Sequence, residues 1–160
     1  MFPADFFRSR NTLLMVLAAV LLVGLAGAQK NSSSSKSNFD TYHVGPWEQT
    51  IGYSQAVRNG NMLYVSGTVG ADEKGLPADL DGQMKRAYAG IQKTLAHYNT
   101  DLSHVVMERI YTTDIEALIR SQETRKQFYG SSAPAATWVE VKRLYGAADK
   151  IEIEVQVAMD

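Results

Sequence analysis

The sequence predicts an α+β fold in which one mixed sheet carries two helices on one face, in the order β-β-α-β-α-β-β. Three observations predict it. A hairpin signal opens the folded part, two later stretches have the spacing of amphipathic helices, and each helix is long enough to cross over between parallel strands. We therefore expect the opposite face of the sheet to be free of helices.

The first two strands are expected to form a hairpin around Asn59-Gly60. Both central positions of a tight primed turn need a positive φ, which asparagine and glycine tolerate. After the turn, residues 62–65 place apolar side chains on both sides of a strand. Gly67 is expected to end this strand, and the stretch "ADEKGLP" then forms a loop.

Two amphipathic helices follow the hairpin. The first is expected from Asp79 to about Asn99, because apolar residues recur there at steps of three and four. This stripe consists of Leu80, Met84, Ala87, Tyr88, Ile91, Leu95 and Tyr98. The second helix is expected from Ile115 to about Tyr129, where the stretch "GSSAP" ends it.

Residues 104–113 and 134–144 predict two further strands. The first, "HVVMERIYTT", is apolar on both sides near its start, which is typical of a central strand. The second begins with "PAATWVEV". Read with a period of two, this stretch places Ala136, Trp138 and Glu140 on the same side.

The last strand, "KIEIEVQVAM", alternates strictly between apolar and mostly polar residues. Its apolar row is expected to meet the helices, which leaves Glu152 and Glu154 on the open face of the sheet. We expect Trp138 to share that open face. A tryptophan on an open sheet indicates that another subunit covers it, and an open-faced monomer is the alternative.

The composition is that of an ordinary globular domain and argues against several function classes. Of 160 residues, 45% are apolar and 21% charged, and the formal net charge is -1, so nucleic acid is not an expected partner. The absence of cysteine excludes disulfides and thiolate nucleophiles. His43, His97 and His104 lack partners at metal-ligand or triad spacing. We expect no metal and no other cofactor.

Residues 1–28 have the layout of a secretory signal peptide. Arg8 and Arg10 precede the apolar run "TLLMVLAAVLLVGLAGA", which ends in small residues. The 16 residues from Leu13 to Ala28 are fewer than the roughly 20 that span a membrane as a helix. A cleaved signal is therefore expected, and an uncleaved membrane anchor is the alternative.

Residues 29–42 are expected to be a flexible linker that leads to a folded domain of residues 43–160. The tract "QKNSSSSKSN" has no periodicity and no apolar residue, so it cannot offset the entropy cost of becoming ordered. It contains a glycosylation sequon at Asn31, which matters only in a source with the modifying enzymes. The protein is thus expected to be secreted or periplasmic.

Four stretches resemble the RidA (reactive intermediate deaminase, also called YjgF) family. They are "YSQAVRNGNMLYVSGTVG", "VVMERIYTTD", "PAATWVEVKRL" and "IEIEVQVA", in this order and spacing. The similarity extends from about Gly52 to Ala158. It implies a chorismate-mutase-like fold and a homotrimer with ligand sites in the clefts between subunits, which agrees with the expected open face.

The resemblance also implies a chemistry and some of its residues. Well-known members hydrolyse enamines and imines derived from amino acids to keto acids and ammonia. A glutamate on the last strand positions the attacking water, and this catalytic residue corresponds to Glu152. The tyrosine of the "YSQA" motif corresponds to Tyr53, and the glycine of the family's "SGQ" motif corresponds to Gly67. Both line the substrate site that the resemblance implies.

Four positions of the implied cleft depart from the family's pattern. The family's arginine, in a "PARSCVEV"-like motif, grips the substrate carboxylate through two hydrogen bonds, and Ala136 stands in its place. Trp138 replaces a cysteine, Glu116 replaces an asparagine and Thr68 replaces a glutamine. The cleft is therefore expected to be bulkier, more acidic and less able to hold an anion.

Two functions are compatible with these residues. The first is an exported, divergent imine or enamine hydrolase in which Glu152 acts on a substrate other than the usual amino-acid-derived imines. Trp138 would offer a flat wall for an aromatic or cyclic ligand. The alternative is a non-catalytic module that binds a small molecule or a protein in the same cleft. An arginine beside Ala136 would change this view, and Arg58 and Arg143 are the first candidates.

Overall fold

The computed structural model describes residues 39–160, whose strands form one sheet. The strands are β1 (Asp40–Tyr42), β2 (Ala56–Asn59), β3 (Met62–Val69), β4 (Val105–Thr112), β5 (Ala135–Glu140) and β6 (Ile151–Ala158). The helices are α1 (Pro46–Ile51), α2 (Leu80–His97), α3 (Ile115–Arg120) and α4 (Gln122–Tyr129), with a short 3₁₀ helix at Leu102–His104. The strand order is β1-β2-β3-β6-β4-β5, in which β4 and β5 are parallel and the other neighbours antiparallel. The predicted mixed α+β fold is confirmed.

The hydrophobic core lies between one face of the sheet and the helices α2, α3 and α4. Side chains of β6 alternate as predicted, and the row that enters the core consists of Ile151, Ile153, Val155 and Val157. The apolar stripe of α2 is buried against this row, and Asp79 caps the helix by accepting a hydrogen bond from the Gly82 amide. The pattern of buried residues therefore confirms the helices-on-one-face prediction.

The β2–β3 hairpin turns where the sequence predicts it. Gly60 has a φ of +62°, and Asn59 pairs with Met62 across the turn. The predicted end of the second strand at Gly67 is wrong, because β3 continues to Val69. Gly67 lies instead in an irregularity, where the pairing of β3 with β6 shifts between Val65 and Thr68.

The helical stretch after β4 consists of two short helices, not the single helix that its spacing predicts. Asp114 caps α3 by accepting a hydrogen bond from the Ala117 amide. At Ser121 the backbone leaves the helical region, with ψ at 7°, and α4 starts from there. Helix α3 therefore ends at Arg120, and α4 begins at Gln122 as a separate element.

Strand β5 corrects two expectations. It ends at Glu140 and not at Leu144, because the last ladder bond is made by the Val141 amide to the Thr112 carbonyl. Trp138 does not share the open face with Glu152. It pairs in parallel register with the buried Ile110, so its indole lies on the helix-covered side and packs against the core.

The segment before the hairpin contains two elements that the sequence did not predict. Strand β1 takes the last three residues of the expected linker and pairs with β2, and Tyr42 stacks on His97 with ring centroids 4.1 Å apart. Helix α1 follows. The expected signal peptide and residues 29–38 of the expected linker lie outside the described residues. Within residues 39–160, no helix has the length and apolar character needed to cross a membrane.

Candidate functional site

A pocket of about 420 Å³ opens beside the irregular part of β3. It is bordered by α1, β3, the start of β6 and the loop that precedes β6. The lining residues are Trp47, Ile51, Tyr53, Ser66, Gly67, Val69, Tyr145, Asp149 and Glu152. Of the sequence-predicted site residues, the structure therefore brings Tyr53, Gly67 and Glu152 together.

Glu152 lies directly over Gly67. A Cβ atom at position 67 would be 1.9 Å from Oε1 of Glu152 and 2.7 Å from its Cδ. No side chain larger than hydrogen leaves room for the carboxylate in this position. The glycine is therefore required by the close approach of the Glu152 side chain to the backbone of β3.

The segment before β2 holds the irregular part of β3 in place. The Ser66 hydroxyl donates to the Ser54 carbonyl at 2.7 Å, and the Ser66 amide donates to the Gln55 carbonyl at 2.9 Å. The buried Gln55 side chain donates to the Thr68 hydroxyl at 3.0 Å. Thr68 is thus used to fix the strand, and it does not line the pocket.

Helix α1 supplies the aromatic side of the pocket. Its Glu48 is fully buried, accepts a hydrogen bond from the Val44 amide at 3.1 Å and lies 3.3 Å from Nδ1 of His43. These contacts join the short helix to the segment that precedes it. The rings of Trp47 and Tyr53 meet edge to face, with centroids 5.8 Å apart.

Glu152 is half-buried and has no donor to balance its charge. Among the described residues, no hydrogen bond reaches its carboxylate. Burial, followed by the nearby charges of Asp149 and Glu154, raises the pKa of Glu152 above its usual range. Burial, followed by Glu48 and then Glu152, also raises the pKa of Tyr53, which therefore keeps its proton. A carboxylate with a raised pKa and no fixed partner is typical of a catalytic base.

The loop before β6 places a second acid in the pocket. Asp149 accepts a hydrogen bond from the Gly146 amide at 2.9 Å. The loop is anchored by the buried Gln83 of α2, whose amide group donates to the Ala148 carbonyl and accepts from the Lys150 amide. Sequence reasoning missed Asp149, Tyr145 and Trp47. Their only sequence signal was proximity to the "IEIE" and "YSQA" stretches.

The other predicted site residues lie at the far edge of the sheet. Ala136 and Glu116 are both exposed. The amide of Ile115 donates a hydrogen bond to Glu140 at the end of β5. Because Glu116 follows Ile115 in the chain, Glu116 lies near the same edge. Since β4 separates β5 from β6, neither residue reaches the Glu152 pocket within one chain. Trp138 is not among the residues that line that pocket.

The covered side of this edge holds a buried carboxylate, Glu108, which pairs with Ala136 across the strands. It accepts hydrogen bonds from the hydroxyls of Tyr88 and Tyr129 at 2.6 and 2.8 Å, and from Nε of Arg125 at 2.6 Å. We call these four residues the Glu108 cluster. Burial, followed by the charge of Glu108, raises the pKa of both tyrosine hydroxyls far above the usual value.

Arg125 lies close to Trp138, and sequence reasoning did not single it out. Its guanidinium carbon lies 5.6 Å from the centroid of the Trp138 ring. The two expected candidates are bound elsewhere: Arg58 donates to the Gly60 carbonyl in the hairpin, and Arg143 donates to the Tyr145 carbonyl. Arg125 donates to Glu108 through Nε, and its buried Nη2 has no hydrogen-bond partner among the described residues. Arg125 is not among the residues that line the Glu152 pocket.

The open face of the sheet has a second, smaller hollow of about 290 Å³. Its two charged residues form an ion pair, in which Nη1 of Arg109 lies 2.6 Å from Oε1 of Glu154. Because they neutralise each other, the hollow lacks an uncommitted charge. Among residues 39–160, no group of three or more histidine, aspartate or glutamate side chains is placed to hold a metal ion.

Comparisons with known proteins agree with this geometry. The family described as Endoribonuclease L-PSP matches residues 47–159. A RutC family protein of Pyrococcus abyssi is 34% identical over 95 residues, which are 58% of this chain and 75% of that protein. The 2-iminobutanoate/2-iminopropanoate deaminase of Bos taurus is 30% identical over 105 residues, which are 64% of this chain and 76% of that enzyme.

A solved structure shares both the fold and part of the sequence. It is a member of the YjgF family from Mycobacterium tuberculosis, with a TM-score of 0.69 and 31% identity, and the match covers 76% of this chain and 99% of that one. Together, the family match over most of the chain, the fold and the four sequence stretches assign the protein. The chain belongs to the RidA/YjgF family, also described as Endoribonuclease L-PSP.

Proposed function

We propose that this protein is a divergent imine or enamine hydrolase in which Glu152 activates the attacking water. The observation that carries the proposal is the Glu152 carboxylate, which lies in a pocket against Gly67, with a raised pKa and no hydrogen-bond donor among the described residues. A relative of the same family, from Bos taurus, is named as a deaminase of 2-iminobutanoate and 2-iminopropanoate. Family and geometry thus favour the same class of reaction.

The reaction needs only water and a base. Glu152 takes a proton from water while the water oxygen bonds to the imine carbon, which gives a carbinolamine. The protonated carboxyl then gives a proton to nitrogen, and the regenerated carboxylate takes the proton of the carbinolamine hydroxyl. The carbon–nitrogen bond breaks as the carbonyl forms, and a carbonyl compound and ammonia leave. The raised pKa favours both steps, because the group is a stronger base than an ordinary glutamate and can also hold the proton.

The substrate is proposed to differ from the usual amino-acid-derived imines. Such substrates carry a carboxylate, and Ala136 offers no hydrogen bond to it. The lining of the Glu152 pocket contains acids but no lysine or arginine among the described residues. Loss of a two-pronged contact with a carboxylate costs about two to three decades in binding or rate.

We also propose that the protein assembles as a homotrimer. The open face of the sheet carries Tyr64, which is 43% exposed, beside Val57 and Met107. Because Glu116 and Ala136 lie across the sheet from Glu152, only a neighbouring chain would bring them to its pocket. Sedimentation velocity on the mature chain should give the mass of three copies, and Tyr64→Glu should give one. A monomeric wild-type protein at micromolar concentration would contradict the assembly.

Export remains a proposal from the sequence. We propose that residues 1–28 are removed and that the mature protein is secreted or periplasmic. The support is the order of basic, apolar and small residues at the N-terminus. N-terminal sequencing of the protein from fractionated cells should start at Gln29. A chain that begins at Met1 in the soluble cytoplasmic fraction would contradict export, and the same chain in the membrane fraction would indicate an anchor.

The reaction can be tested with imines that are generated enzymatically in the assay. Ammonia release should be faster with the wild-type protein than in a blank, and Glu152→Gln should lower the rate by about 100-fold or more. Glu123→Gln is the matched control, because this exposed carboxylate pairs only with Lys126 on α4. No acceleration with any imine, or equal rates for wild type and Glu152→Gln, would reject the hydrolase and leave the alternative of a non-catalytic binding module.

A further inference from the structure

The charged residues that line the Glu152 pocket are all acidic. Glu152 and Asp149 both line it, and Glu48 lies close enough behind Tyr53 to affect the titration of that hydroxyl. None of the lining residues is lysine, arginine or histidine, among those that the structure describes. An anion in this pocket would meet like charges without a compensating donor, whereas a cation would relieve the unpaired carboxylates.

The walls of the pocket are aromatic. Trp47 and Tyr53 meet edge to face, and Tyr145 of the loop before β6 also lines the pocket. Trp47 is 51% exposed and Tyr145 is 84% exposed, so much of their surface remains available to a ligand. The faces of tryptophan and tyrosine rings attract cations, most strongly when the ligand has lost its water. Ile51 adds an apolar surface beside Trp47.

We propose that the pocket recognises a cationic ligand, an iminium or ammonium group attached to an apolar or aromatic body. The nitrogen lies near Glu152 and Asp149, and the body packs between Trp47 and Tyr145. As a statement about the substrate, this inference rests on the proposed function, because a protonated imine is both a cation and the electrophile that water attacks. As a statement about binding, it stands on the charge and the walls of the pocket.

Three ligands of similar shape and different charge test the selectivity. Calorimetry at pH 7.5 compares benzylammonium, benzyl alcohol and benzoate. The cation should bind at least about tenfold more tightly than the neutral alcohol, and benzoate should bind more weakly than both. Equal affinities, tighter binding of benzoate, or no binding of benzylammonium at about 10 mM would overturn the inference.

Variants locate the binding site. Glu152→Gln keeps the shape of the side chain and should weaken benzylammonium binding about tenfold, whereas Glu123→Gln should leave it unchanged. Tyr145→Phe should bind almost as well as wild type and Tyr145→Ala more weakly, since the ring provides the contact. The chain has two tryptophans, so in a Trp138→Phe background the fluorescence of Trp47 reports ligand entry. An affinity for benzylammonium that Glu152→Gln does not change, together with unchanged Trp47 fluorescence, would place the site elsewhere and overturn the inference.

Binding and turnover fail separately in these assays. If benzylammonium binds with the expected selectivity but no imine is hydrolysed, the hydrolase is wrong and the cation site stands. If imines are hydrolysed with dependence on Glu152 but benzoate binds as tightly as benzylammonium, the cation inference is wrong and the hydrolase stands.

Discussion

Glu108 and Glu152 lie on neighbouring strands of one sheet, β4 and β6, but their surroundings are opposite. Glu108 faces the helices, is fully buried and accepts hydrogen bonds from Tyr88, Tyr129 and Arg125. Glu152 faces away from the helices, is half-buried and accepts none from the described residues. The protein shields both carboxylates from water to some extent, but only Glu108 has donors among the described residues that balance its charge.

The difference teaches how to tell a structural carboxylate from a chemical one. A buried carboxylate with three donors has most of its lone pairs occupied, and its removal leaves its buried donors without an acceptor. A half-buried carboxylate without donors keeps its basicity and its space for water. Burial alone would rank Glu108 as the more unusual group, whereas donor count favours Glu152 as the candidate for chemistry.

The largest effect is expected from removal of the Glu108 charge. Glu108→Gln leaves the Arg125 guanidinium buried without a counterion and should lower the free energy of unfolding by about 3 kcal/mol. Urea denaturation measures this. The exposed Glu123, which pairs with Lys126, gives the control, since Glu123→Gln should change stability by less than about 0.5 kcal/mol. A loss below about 1 kcal/mol for Glu108→Gln would show that the Glu108 cluster is not structural.

The next effect is expected at the glycine beneath Glu152. In Gly67→Ala the new methyl would occupy the position of the carboxylate, which must swing away because it is the end of a flexible side chain. Binding of benzylammonium should weaken about tenfold, whereas the free energy of unfolding should differ from that of wild type by no more than about 1 kcal/mol.

The double variant tests the cause of that change. In a Glu152→Ala background there is no carboxylate to displace, so adding Gly67→Ala should have little further effect on binding or stability. Equal effects of Gly67→Ala in both backgrounds would mean that the glycine serves the backbone alone and not the approach of Glu152.

A smaller effect is expected in the pH dependence of stability. Because the folded state raises the pKa of Glu152, the native protein holds a proton at pH values where the unfolded chain has lost it. Wild type should therefore lose stability as the pH rises from the ordinary glutamate pKa of about 4.3 through the raised one. Glu152→Gln removes this loss, so its Tm should exceed that of wild type by about 1–3 °C at pH 7 and match it near pH 3.5.

Calorimetric scans between pH 3.5 and pH 8 provide the measurement. Glu123→Gln should not show the same pH-dependent gain. A wild-type protein that is more stable than Glu152→Gln at pH 7 would mean that the Glu152 carboxylate is stabilised by its surroundings, as Glu108 is, and the contrast between the two would be lost.

The smallest effect at the pocket is expected from Trp138. Since its indole packs on the helix-covered side near Arg125, Trp138→Phe should change the affinity for benzylammonium by less than about twofold. Calorimetry of the variant measures this directly. A change of tenfold or more would place Trp138 in contact with the ligand and would return it to the site that the sequence predicted.

The sequence predicted those parts of the fold that repeat a pattern over several residues. Strand β6 and helix α2 have long, strict periods, and the hairpin has a turn with a known conformational requirement. Helix α1 and strand β1 are too short to show a period, and the stacking of Tyr42 on His97 joins residues that are far apart in the sequence. The side of Trp138 was misjudged because β5 is mostly exposed on both faces, so only its register with β4 decides the matter.

The site was predictable only in part, for a similar reason. Tyr53, Gly67 and Glu152 stand in recognisable motifs. Asp149 and Tyr145 are placed by a loop that depends on Gln83, which lies far away in the sequence. The Glu108 cluster did leave a signal, a glutamate within the mostly apolar stretch "VVMERIY", which requires a donor once its side of the strand is buried.

The central claim is that the Glu152 carboxylate is free to act on a ligand, and its own titration tests this most directly. In protein with ¹³C-labelled glutamate side chains, the resonance missing from Glu152→Gln identifies the residue. It should titrate above the ordinary glutamate value in the free protein, and its midpoint should fall when benzylammonium saturates the pocket, because a nearby cation favours the charged form. An ordinary midpoint that the ligand does not move would contradict the account.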